Sequence, residues 1–172
     1  MMIKVGDYQL RSFQDSDLED LVSAANNKKI ARYLTNMFPH PYTKQDGLDW
    51  LEICKSEKGE IRFAIATDSK LIGGFGFLPR SDIHAQTMGM GYWLSEDYWG
   101  KGVMTQVVGS MSDYVFETYP DIVRLEAMVY EGNEGSKRVL EKNGFVCEAC
   151  LKKNVTKYDK VYDAFIYARI KE

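Results

Sequence analysis

Little in this sequence asks for a special environment. No apolar run approaches the roughly 20 residues that span a bilayer, so a membrane-embedded chain is not expected. The opening MMIKVGDYQL lacks the apolar centre and small-residue cleavage site of a secretory leader, and the cytoplasm is the expected compartment. Three cysteines, Cys54, Cys147 and Cys150, are too few for a disulfide framework and odd in number. Cys147 and Cys150 form a C-x-x-C, but no second cysteine pair or nearby histidine completes a zinc site, and no metal is expected. The pair falls in FVCEACLKK, which reads as strand, where residues three apart are expected on opposite faces. It also lacks the helix N-terminus that activates a redox thiol, so a structural role is expected. A net charge of -3 offers no broad basic field for nucleic acid. Any anionic ligand must then be held by local devices, such as a helix N-terminus or a few lysines.

What is present is an ordinary globular composition. Hydrophobic residues make up 45% and charged residues 27%, enough for a well-formed core and a solvated surface. No repeat or Pro/Gly/Ser-rich linker divides the chain, so a single domain over residues 1–172 is expected.

IKVGDYQLRSF reads as a first strand. Ser16-Asp17-Leu18-Glu19 has the pattern of a capping box, opening a helix with Leu18, Leu21, Val22 and Ala25 on its apolar face. TNMFPHPY is a loop, because Pro39 and Pro41 disfavour helix on either side of His40. Thr43 is placed to cap a second helix, with Leu48, Leu51 and Cys54 turned inward. EIRFAIATD and KLIGGFGFL then read as a hairpin turning at Asp68-Ser69. TMGMGYWLS is a strand containing Gly89 and Gly91, followed by a long helix from about Gly102 to Glu117. VRLEAMVYE is a strand, NEGSKRVLEKNG a short helix, and FVCEACLKK and VYDAFIYARI closing strands. This order implies an α+β fold of three layers: a mixed, mostly antiparallel sheet with helices on both faces.

The chemistry concentrates in GYWLSEDYWGKGVMTQ. Gly100 and Gly102 flank Lys101 where the long helix begins, and glycine there lets backbone approach a bulky anion. The free N–H groups of the first turn and the positive end of the helix dipole would then meet phosphate oxygens. Two nucleotide-binding alternatives fail on spacing, since the loop is neither G-x-x-x-x-G-K-[ST] nor G-x-G-x-x-G. By itself the loop reads equally well as a plain turn. One strand later, Asn133-Glu134-Gly135-Ser136 opens a helix ending in Lys142-Asn143-Gly144-Phe145. Asn133 as N-cap and Gly144 as C-cap would explain that helix without any function.

The combination, together with RLEAMVYEGNEGSKRVLEKNGF and the terminal YDAFIYARI, resembles the GNAT superfamily of N-acetyltransferases. It is most similar to the branch of ribosomal-protein N-terminal alanine and serine acetyltransferases. The resemblance implies an acetyl-CoA site between two splayed central strands, with a bulge near Gly89 or Gly91. It assigns the pyrophosphate to backbone N–H groups of Gly100, Lys101, Gly102, Val103, Met104 and Thr105, and the pantetheine arm to Tyr92, Trp93 and Leu94. Asn133 and Ser136 fall in its N-x-x-S element, with Ser136 as donor to the departing thiolate. Three departures stand out. Trp99 and Met104 occupy the outer places of the Q/R-x-x-G-x-G/A pattern. Leu140 stands where many members have a tyrosine. Met88, Gly89 and Val155 stand at positions where relatives carry a glutamate base.

Acetyl transfer needs a neutral amine, a polarised carbonyl and a proton for the thiolate. The backbone N–H near Leu94 is a candidate for the carbonyl. Glu126 is the candidate base, although strand alternation also suits it to an ion pair; Tyr92 and Glu131 are the alternatives. A weak base favours a weakly basic acceptor. An α-amine has a pKa of about 8 and a lysine of about 10.4. A protein or peptide N-terminus is therefore the expected partner of a monomer or homodimer, and small amines or a non-catalytic acetyl-CoA sensor are the rival readings.

Overall fold

Two periodicities alternate along this chain, and backbone hydrogen bonding follows them closely. The computed structural model describes residues 2–57 and 59–172; the 1–172 span expected above includes Met1 and Lys58, which lie outside the described residues. Eight strands follow in the order β1 (Met2–Val5), β2 (Tyr8–Arg11), β3 (Arg62–Ala66), β4 (Leu71–Pro79), β5 (Thr87–Leu94), β6 (Arg124–Tyr130), β7 (Val146–Lys157) and β8 (Lys160–Ile170). Five α-helices accompany them: α1 (Leu18–Ala25), α2 (Lys28–Ala31), α3 (Lys44–Ser56), α4 (Val103–Thr118) and α5 (Glu134–Lys142). The sheet is mixed and mostly antiparallel, as expected, and its strand order is β1-β2-β3-β4-β5-β6-β8-β7. The chain forms two compact units, one of Met1–Gly76 with Tyr92–Val103 and one of Phe77–Gly91 with Met104–Glu172.

In the first unit the opening segment is two strands, not one. Gly6 takes a φ of 57°, and β1 turns back on β2 with Val5 opposite Tyr8. The alternation of apolar residues continues across Gly6-Asp7 and hides the turn. The start of α1 is also built differently from the expected box. Asp17, not Ser16, is the key residue: it is 3% exposed, accepts both guanidinium donors of Arg11 at 2.7 Å, and accepts the Gln14 N–H at 2.8 Å. A buried carboxylate is tolerated because these partners satisfy it. Thr43 does cap α3, in a reciprocal box with Asp46. Leu51 turns inward as expected, but Leu48 is 43% exposed; Gly47 takes the inner face instead. Leu21, Ala25, Tyr42, Leu51, Ala64 and Leu71 form the core of this unit.

In the second unit α4 buries Val107, Val108, Met111 and Val115, the helical spacing seen in the sequence. β6 buries Leu125, Ala127 and Val129 in alternation. Each of the larger side chains contributes about 1.5–3 kcal/mol relative to exposure. β5 pairs parallel to β6 over Thr87–Gly89, so this ladder stops at one of the two glycines singled out above. β7 and β8 form an antiparallel pair with a register shift between Cys147 and Ala149. That shift corrects the reading of the C-x-x-C. Cys147 lies opposite Tyr167 and Cys150 opposite Phe165, residues two apart on β8, so both cysteines share one face. An extra residue in the strand moves every later side chain to the other side.

Candidate functional site

The first unit carries the end of β5 and the loop after it. Gly73 and Gly74 make room for Trp93. A Cβ on Gly74 would lie 2.6 Å from the Trp93 indole nitrogen, and one on Gly73 would strike the Trp93 carbonyl. The indole is half-buried and meets Phe38 at 5.4 Å between ring centroids; the Tyr92 ring stacks on Phe75 at 6.3 Å. Leu94 is buried, and its carbonyl accepts the Trp99 indole N–H at 2.8 Å. Trp99 thus folds the loop back on the strand end. From the sequence it was visible only as a departure from a pattern.

Between them, Glu96 accepts from Asn27 Nδ2 at 2.7 Å and pairs with Lys29. The Lys29 ammonium, with Asn27 beside it, holds the Glu96 carboxyl below its ordinary value. The ammonium groups of Lys101 and Lys70 lie 5.1 and 5.8 Å from the centroid of the Tyr98 ring, within cation–π range. Gly100 and Gly102 have φ of 71° and 75°, a region other residues enter only with strain. A Cβ on Gly100 would meet nothing within 4 Å, so this glycine is required by its φ and not by crowding. α4 then starts at Val103 with no acidic residue in its first turn. Gly102, immediately before it, has no side chain with which to cap. The side chains of Val103 and Met104 are buried and that of Thr105 half-buried. The bulk of Met104 is directed into the core, and its N–H remains in the first turn, where an α-helix provides no internal acceptor.

The second unit carries the remaining candidates. Asn133 accepts the Ser136 N–H at 3.3 Å and so caps α5. Ser136 is half-buried in the first turn. At the other end, Gly144 has φ 77°, its N–H reaches the Glu141 carbonyl, and the Phe145 N–H reaches that of Leu140. This is the left-handed helix stop expected of the glycine. The Asn143 side chain, missed in the sequence, donates to the Thr105 carbonyl at 3.0 Å and the Val139 carbonyl at 2.9 Å. Glu126 is only 16% exposed, with one oxygen accepting from Arg80 and the other from Arg124 at 3.2 Å. Arg124 continues to Glu148, and this contact raises the guanidinium and lowers the Glu148 carboxyl. Among the described residues, no group of three or more His, Cys, Asp or Glu is placed to hold a metal, and no helix is long and apolar enough to cross a membrane.

A glycine-rich turn into one helix, one strand before a second helix capped by Asn133, is the arrangement the motifs anticipated. Residues 8–146 match the family model described as an acetyltransferase (GNAT) domain. The chain belongs to the GNAT family. It is an acetyl-CoA-dependent N-acetyltransferase.

Among its relatives, an uncharacterized N-acetyltransferase of Bacillus subtilis, YoaA, is 28% identical over 94% of this chain and 92% of its own length. The ribosomal-protein-serine acetyltransferase of Escherichia coli is 31% identical over 63% of this chain and 59% of its own. A solved RimL, a ribosomal L7/L12 α-N-protein acetyltransferase in complex with coenzyme A, superposes with a TM-score of 0.86 at 23% identity, over 99% of this chain and 98% of that one. At that identity the likeness establishes the fold.

Within this GNAT acetyltransferase, the residues weighed as base each contact a neighbour. Glu126 sits in the ion-pair row that strand alternation allowed for. A Glu131 carboxylate oxygen accepts the Asp163 N–H at 3.0 Å. Tyr92 is stacked on Phe75. Met88 and Gly89 are buried and carry no titratable group.

Proposed function

We propose that this acetyltransferase acts on a weakly basic primary amine, in the first place the α-amino group of a protein or peptide N-terminus. We further infer that both compact units serve one acetyltransferase domain over residues 1–172. The observation that carries the reading is the start of α4. Two positive-φ glycines lead into α4, the residue before it has no side chain, and its first turn carries no acidic residue. Such a turn suits the pyrophosphate of acetyl-CoA. The pantetheine arm would run along Tyr92, Trp93 and Leu94, using main-chain groups other than the Leu94 carbonyl, which Trp99 occupies.

Acetyl-CoA supplies an activated thioester. The chain's own part is to hold it, to polarise the carbonyl through the backbone N–H near Leu94, and to pass a proton to the thiolate through the Ser136 hydroxyl, which regains one from water. Asn133 supports this by fixing the first turn of α5 through the Ser136 N–H. No strong base is assigned. A carboxylate whose two oxygens already accept guanidinium hydrogen bonds has little left for an amine, so Glu126 becomes a structural residue in this reading. Water is then the carrier of the amine proton. Deprotonating an α-amine at pH 7 costs under roughly 1.5 kcal/mol, against more than about 4 for a lysine. The names of the E. coli relative and of RimL point the same way. We expect it to act in the cytoplasm, and its net charge of -3 offers no broad basic field for a nucleic acid partner.

The test is kcat/KM for short peptides with free Ala or Ser N-termini against spermidine and lysine. Peptides should win. Efficient spermidine acetylation with inert peptides would move the enzyme to the small-amine class, and coenzyme A binding without turnover on any amine would make it a sensor.

A further inference from the structure

α5 does not need the Asn143 side chain to end. Gly144 in the left-handed region, the bond from Phe145 N–H to the Leu140 carbonyl, and burial of both Leu140 and Phe145 already stop the helix. The amide of Asn143 is spent elsewhere. Its Nδ2 reaches the carbonyl of Thr105, in the first turn of α4, as well as the carbonyl of Val139 in its own helix. Its Oδ1 lies over Gly109, one turn further along α4, where an added Cβ would come within 2.7 Å of it. Thr105 and Gly109 are four residues apart, so they share a face of α4. The amide fits that face with a donor over one residue and its oxygen over the other. Glycine in mid-helix weakens α4, and here it leaves room for the Asn143 amide.

We propose that Asn143 is a positioning residue that keeps α5 in register with the first turn of α4 and so sets the affinity for coenzyme A. This rests on the reading that Met104 and Thr105 on α4, and Asn133 and Ser136 on α5, face the same ligand. Register matters because main-chain N–H groups cannot reorient independently of their helix, whereas a side-chain contact could adapt. A shift of α5 by a fraction of an ångström would misplace its whole first turn.

The experiment is a double-mutant cycle in the intact enzyme, read by calorimetry with coenzyme A, by KM for acetyl-CoA and for the acceptor, and by melting temperature. Asn143→Ala should weaken coenzyme A about tenfold, the size expected for losing two hydrogen bonds at one contact. KM for acetyl-CoA should rise with it while KM for the acceptor stays put. Gly109→Ala should do the same, because its Cβ displaces the amide. In the Asn143→Ala background, Gly109→Ala should cause no further loss of affinity and should raise the melting temperature, since alanine is the better helix former once the amide is gone.

Wild-type affinity in Asn143→Ala, or losses from the two substitutions that simply add, overturns the proposal. A melting temperature restored in the double variant together with full affinity would reduce Asn143 to a stability residue. Should Asn143→Ala not fold, Gly109→Ala alone tests the proposal: weakened coenzyme A and a raised acetyl-CoA KM support it, and wild-type values of both overturn it. Gly102→Val separates the levels. If that variant still binds coenzyme A, the placement of the ligand is wrong. If it does not, and the Asn143 and Gly109 variants bind normally, only the positioning role falls.

Discussion

Helices α3 and α4 begin in opposite ways. The first turn of α3 is closed by its own residues: the Thr43 hydroxyl accepts the Asp46 N–H at 3.2 Å, and the Asp46 carboxylate accepts the Thr43 N–H at 2.7 Å. The first turn of α4 follows a glycine that has nothing to offer and a loop held in positive φ. One opening is closed by its own side chains, and the other is the turn proposed above to take the pyrophosphate. A helix N-terminus is thus a candidate anion site only where the chain does not supply its own anion. α5 stands between the two, capped by Asn133 yet presenting Ser136 in its first turn.

The largest effect should come from closing the open turn. Gly102→Val should abolish measurable coenzyme A binding in calorimetry, because a side chain at φ 75° both strains the loop and fills the anion position. Lys101→Ala keeps the backbone N–H and should cost no more than about fivefold, with the loss shrinking in high salt. Equal losses from the two would mean that side-chain charge, not the open turn, holds the ligand.

The intermediate case is next. Ser136→Ala should lower kcat about tenfold or more with the acetyl-CoA dissociation constant unchanged, if its hydroxyl serves the thiolate. The Asn133 cap survives, because it uses the Ser136 N–H. A variant that loses melting temperature and not turnover would place Ser136 with α3-type residues that serve only their helix.

The closed turn should respond in stability alone. Thr43→Ala should lose about 1 kcal/mol, seen as a fall of about 2–4 °C in melting temperature, and leave coenzyme A affinity as it was. The same box carries a small pH dependence. The Thr43 hydroxyl and backbone lower the Asp46 carboxyl, so its contribution is complete above the ordinary aspartate value near about 3.9 and is lost as pH falls through the lowered folded value. Amide exchange should show α3 fraying earlier on acidification than α4, and Thr43→Ala should remove that difference. The smallest effect concerns the thiols. Burial pushes Cys54 up to about 12, whereas Cys147 and Cys150 are exposed. At pH 8 a colorimetric thiol reagent should therefore titrate two cysteines promptly and Cys54 slowly.

Signals confined to a few neighbouring residues were legible in the sequence. Thr43 with Asp46, Gly144 with Phe145, and the spacing of Val108, Met111 and Val115 each act through bonds or faces within one element. So did the glycine-rich turn, since positive φ is a property of the residue that adopts it. The first strand was misread because alternation ran on through Gly6-Asp7, and the first cap because Arg11 recruited Asp17 from a preceding strand.

By itself, then, the sequence determined most of the elements and the glycines that precede α4, which local propensity and short-range hydrogen bonding dictate, and it carried the motifs of the family. Only the tertiary structure decided what depends on partners far apart in the chain. The β7 register shift put Cys147 and Cys150 on one face, and Arg80 and Arg124 took up Glu126. Trp93 found its seat on Gly73-Gly74, and Asn143 reached Thr105 across 38 residues. Such contacts are chosen by packing and by the need to satisfy every buried polar group, and neither condition can be evaluated until the elements are assembled.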